Sequence, residues 1–89
     1  METNKINDNR PITVEFLKKN FDDNTLKGNQ FSTTKEQTPI SVDVFAIEDL
    51  NRWKVIIYPD NVVYINTVAQ LKAFLRMFGL DEFANNLKG

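Results

Sequence analysis

Residues 53–65, WKVIIYPDNVVYI, constrain this chain more than any other stretch: two β-rich runs flank Pro-Asp-Asn and are apolar at nearly every position. A half-buried strand alternates apolar and polar residues, because successive side chains point to opposite faces. Here both faces are apolar, so a sheet built on this hairpin has a second face to account for. Pro59 holds φ at about −65°, which excludes the positive φ of a type I′ turn, so the reading expects a type I turn with Pro59 at its second position. With Asn61 in the left-handed conformation of a three-residue loop, Tyr58 pairs with Val62, Ile57 with Val63, Ile56 with Tyr64 and Val55 with Ile65.

Upstream, ISVDVFAI (residues 40–47) alternates and is rich in β-branched residues, EDLN (48–51) reads as a loop, and a strand runs from Arg52 to Tyr58. If that loop closes Ile47 onto Arg52, then Ala46 meets Trp53, Val44 meets Val55 and Val42 meets Ile57. Opposed residues share a face. One face is thus Val42, Val44, Ala46, Trp53, Val55, Ile57, Val63 and Ile65, an apolar set that belongs in the core. The other holds Asp43, Phe45, Ile47, Arg52, Lys54, Ile56, Tyr58, Val62 and Tyr64.

Helical signals bracket these strands. In PITVEFLKKNF, Thr13 suits an N-cap, Glu15 lies in the first turn, and Val14, Leu17 and Phe21 recur at helical spacing, predicting a short helix that ends near Asn20. In NTVAQLKAFLRMFGL, Thr67 and Gln70 form a capping box, Val68, Leu71, Leu75 and Phe78 make the buried stripe beside Phe74, and Gly79 is the stop. The following DEFANNLKG adds a helical turn or two, anchored by Phe83 and Leu87. Residues 22–39 fit either a mobile loop or a short edge strand around Phe31, and residues 1–10 read as a mobile tail before a single domain over 11–89.

Composition narrows the chemistry. The 89 residues hold no cysteine and no histidine, which removes thiol nucleophiles, disulfides, cysteine zinc sites and the commonest general base. The acid pairs Asp22-Asp23, Glu48-Asp49 and Asp81-Glu82 sit in expected loops or caps without a calcium-loop pattern, so no metal is assigned. Three glycines build no phosphate cradle, and Ser32 and Ser41 have no histidine to activate them; the reading expects neither an enzyme nor a cofactor. Eleven scattered Lys and Arg in a chain of net charge −1 make no basic stripe, which disfavours nucleic acid as a partner. No run approaches a membrane span or a signal peptide, so a cytoplasmic setting is expected.

What the second face does is the open question. Either the chain covers it, with residues 22–39 or the DEFANNL turn, or Phe45, Ile56, Tyr58 and Tyr64 stay partly exposed and bind a protein partner or a second copy. The alternative is single-stranded nucleic acid stacked on the same aromatics, with Arg52 and Lys54 meeting phosphates.

RPITVEFLKKN and VVYINTVAQLKAFLRMFGL together resemble the framing segments of short uncharacterised proteins carried by prophage-like and other mobile elements of gut bacteria. The match rests on Pro11, Ile12, Leu17, Tyr64, Val68 and Leu71; the 22–39 segment departs from it. The resemblance implies a bacterial cytoplasmic setting and an α+β fold, and no activity. The architecture expected is α+β: a three- to four-stranded antiparallel meander with an N-terminal and a C-terminal helix packed on one face, Trp53 meeting Leu71 and Leu75.

Overall fold

The computed structural model describes residues 9–24, 30–34, 38–47 and 52–88. In chain order they form α1 (Val14–Asn20), β1 (Asp22–Asn24), β2 (Gln30–Ser32), β3 (Val42–Ile47), β4 (Arg52–Ile57), β5 (Asn61–Ile65), α2 (Val68–Met77) and α3 (Asp81–Asn85). The expected loop 48–51, the tail up to residue 8, and residues 25–29 and 35–37 lie outside the described residues.

The fold is α+β, and the sheet is larger than expected: five antiparallel strands in the order β1-β2-β3-β4-β5. The extra strand is Asp22–Asn24, whose acids are poor strand formers. It forms at an edge, where charge is tolerated, by pairing Asp23 with Phe31. Beyond β2, the ladder to β3 continues through Thr33, whose N–H donates to the Val42 carbonyl (3.0 Å) while its hydroxyl accepts from the Val42 N–H (2.9 Å).

The β3–β4 register is the expected one, from Val42 opposite Ile57 to Ile47 opposite Arg52. The β4–β5 register is not. Asn61 is a strand residue opposite Ile57, its side-chain amide donating to the Ile57 carbonyl (3.3 Å), so the link is Tyr58-Pro59-Asp60 and its Tyr58–Pro59 peptide is cis. Ile56 therefore faces Val62, Val55 faces Val63 and Lys54 faces Tyr64. A two-residue slip preserves the parity of a strand, so the same side chains still share each face.

Val42, Val44, Val55, Ile57 and Ile65 are buried on the core side, with Val63 and Trp53 half-buried at its margin. The helices close that side. In α2 the capping box is complete: the Thr67 hydroxyl accepts from Gln70 N–H (3.2 Å) and Gln70 Oε1 accepts from Thr67 N–H (3.1 Å). Val68, Leu71 and Leu75 are fully buried, and Gly79 takes φ +77° to end the turn. In α1, Thr13 caps Phe16 N–H (3.1 Å) as expected, but the buried face is Phe16, Leu17 and Asn20, with Val14 exposed. Polar Asn20 interrupts the apolar pattern that would have revealed this face. Its carboxamide is used structurally: Nδ2 donates to the carbonyls of Phe16 and Lys88 (2.9 Å each), and Oδ1 accepts from Lys88 N–H (2.7 Å). Phe83 of α3 packs edge-on to Phe21 at 5.5 Å, so the C-terminal segment joins the helix layer. Trp53 at the core margin meets Phe31 edge-on at 6.5 Å and donates from Nε1 to the Ile12 carbonyl (3.2 Å).

Candidate functional site

Register alone arranges the sheet face that the described helices leave bare. Pairing aligns Asp22, Ser32, Asp43, Ile56 and Val62 in one cross-strand row. The next row is Asn24, Gln30, Phe45, Lys54 and Tyr64, followed by Ile47 with Arg52. All four candidate residues, Phe45, Ile56, Tyr58 and Tyr64, lie on this face. They do not form one aromatic cluster, because Lys54 stands between Phe45 and Tyr64, and Ile56 has Val62 rather than Tyr64 opposite it.

The exposed part is concentrated at the β5 side. Tyr64 is 50% exposed, Val62 46% and Tyr58 40%, while Phe45 and Ile56 are half-buried between their neighbours. Val62 was part of the expected face but not of the candidate set; its edge position makes it as accessible as the tyrosines.

Neither anticipated intramolecular cover operates among the described residues. The described parts of 22–39 extend the sheet sideways as β1 and β2 and turn Phe31 into the core, and the DEFANNL segment sits against α1 in the helix layer.

Around Tyr58 lies a polar knot that sequence reasoning missed. Asp43 is buried, and its Oδ2 accepts from the Tyr58 hydroxyl (2.7 Å) and from Gln30 Nε2 (3.0 Å). Tyr58 is held there by its own N–H, which donates to the Ser41 carbonyl (3.0 Å) and carries the β3–β4 ladder one pair further. The signal was available: Asp43 pairs with Ile56, so Tyr58 is its diagonal neighbour on the same face. The bond to the Asp43 carboxylate, then partial burial, then the Asp43 charge hold the Tyr58 hydroxyl above the ordinary tyrosine pKa.

The face carries Asp22 and Asp43 against Arg52 and Lys54, so it presents no field of one sign. The expected acid pairs are dispersed: Asp22-Asp23 lies in β1, Asp81-Glu82 opens α3, and Glu48-Asp49 lies outside the described residues. An open groove of about 310 Å³ between α1 and α3 is lined by Lys19, Glu82, Asn86 and Lys88 over the Asn20 clamp. No helix among the described residues is long and apolar enough to cross a membrane. Compared with family models, curated proteins and solved structures, the chain matches none.

Proposed function

We propose that this chain is a small non-catalytic protein-interaction module, self-associating or binding another protein, that works through Phe45, Ile56, Tyr58, Val62 and Tyr64 in a bacterial cytoplasmic setting of the kind the mobile-element resemblance implies. One observation carries the reading: every described helix packs on one side of the sheet, while Tyr58, Val62 and Tyr64 on the other side remain 40 to 50% exposed. Tyrosine suits such a surface, since its ring offers contact area while its hydroxyl stays hydrated.

The test is molar mass against protein concentration, by sedimentation or light scattering, for wild type and a Tyr58→Ser, Tyr64→Ser double variant. The expected result is a wild-type mass above the 10.3 kDa of one chain, persisting in high salt, and a folded monomeric variant. Persistence in salt separates an apolar protein contact from single-stranded nucleic acid binding, which weakens steeply as salt rises. A monomeric wild type would remove the self-association branch and leave a different protein as the only partner for this face, and an earlier melt of the variant reports the lost Tyr58–Asp43 bond.

A further inference from the structure

The outer edge of β5 differs from the other edge of the sheet. An edge strand presents unpaired backbone N–H and C=O groups, and folded proteins blunt such edges with charge, proline, bulges or short length. β1 is blunted twice over, being three residues long and carrying Asp22 and Asp23. β5 reads Asn61-Val62-Val63-Tyr64-Ile65, pairs with β4 without a bulge, and has no charged residue and no proline. Among the described residues nothing pairs with its far side. The described segment Arg10 to Ile12 bonds past the end of the strand, with Ile12 N–H on the Asn66 carbonyl (2.9 Å) and Val68 N–H on the Arg10 carbonyl (3.1 Å).

We propose that β5 pairs edge to edge with β5 of a second copy, joining two sheets into one. The inference rests on the self-association branch of the interaction reading and names both the partner and the contact. An antiparallel two-fold centred on Val63 places Val63 opposite itself, Val62 opposite Tyr64 of the second copy, and Asn61 opposite Ile65. No charge meets a like charge in this register. The same operation on β1, centred on Asp23, would oppose two aspartates, so the charge pattern selects one edge and rejects the other.

Two further features fit. Val63 points to the core side yet is only half-buried, and its counterpart would close that open margin. On the other side, Val62 and Tyr64, 46% and 50% exposed, would make aliphatic–aromatic cross-strand pairs that run the two bare faces together.

The experiment combines sedimentation across two decades of protein concentration with amide hydrogen exchange on wild type, Val62→Lys and Phe45→Ser. Lysine at position 62 sits on an exposed site and leaves the monomer's core alone. The expected result is a wild-type mass rising toward twice 10.3 kDa, alternate β5 amides gaining protection as the dimer fills, and Val62→Lys weakening association by roughly tenfold or more with its melt unchanged. A dimer that leaves β5 amide exchange unchanged and is dissolved by Phe45→Ser would overturn the edge contact while upholding the face as the interface. A wild type that stays monomeric throughout overturns the edge proposal, and the interaction reading then survives only with a different protein as partner.

Discussion

Asp43 shows how one residue divides the exposed face into two regions of different chemistry. Asp43 is 8% exposed and its carboxylate takes hydrogen bonds from Tyr58 and Gln30, so the region around Tyr58 is polar while Tyr64 and Val62 carry the accessible apolar area. Tyr58→Phe removes one of these bonds. Its expected cost is about 1 kcal/mol at neutral pH, below the usual range for a charged acceptor because Tyr58 is 40% exposed. The pH dependence follows from the raised Tyr58 pKa. The contribution is complete below the ordinary tyrosine value of about 10 and is lost as pH climbs from there through the higher folded-state value. Denaturation midpoints of wild type and Tyr58→Phe should therefore converge at strongly alkaline pH; a constant gap would place the effect in packing instead.

At the scale of elements, what could be read in advance depended on how many independent signals agreed. For α2 the capping box, the stripe and the glycine stop all concurred, and the element runs Val68–Met77 with Leu71 fully buried. Leu71→Ala is expected to lower stability by about 2 to 5 kcal/mol, and a thermal melt near wild type would refute the assigned helix face. The β3–β4 register was legible because one closing pair, Ile47 with Arg52, determines all the rest. The β4–β5 register was not, since a slip of two residues leaves the alternation unchanged and only the local structure of Tyr58-Pro59-Asp60 decides it. In α1 and β1 the pattern misleads for a shared reason: polar residues, Asn20 and the two aspartates, take structural positions by hydrogen bonding, which hydrophobic periodicity does not record. Membership of the exposed face was legible from parity alone, whereas the placement of Lys54 between Phe45 and Tyr64 and the Tyr58–Asp43 bond required the register and the third dimension.

For the molecule as a whole, the helix layer is tied together across the chain. Asn20 clasps the backbone of Lys88, a partner 68 positions away, while the meander pairs neighbours along the sequence. Closing a long loop carries an entropic cost that short hairpins do not, and contacts between distant residues tend to form late. We expect the clasp to act as a latch that engages after the sheet has condensed. Asn20→Ala should lower stability by about 1 to 3 kcal/mol, with nearly all of the change appearing as faster unfolding and little in the folding rate. Stopped-flow chevrons would show it, and a slowed folding limb with unaltered unfolding would put the latch in the nucleus. A chain of this design draws its folding speed from the local meander, and the Asn20 clasp adds to its native-state lifetime by joining segments far apart in sequence.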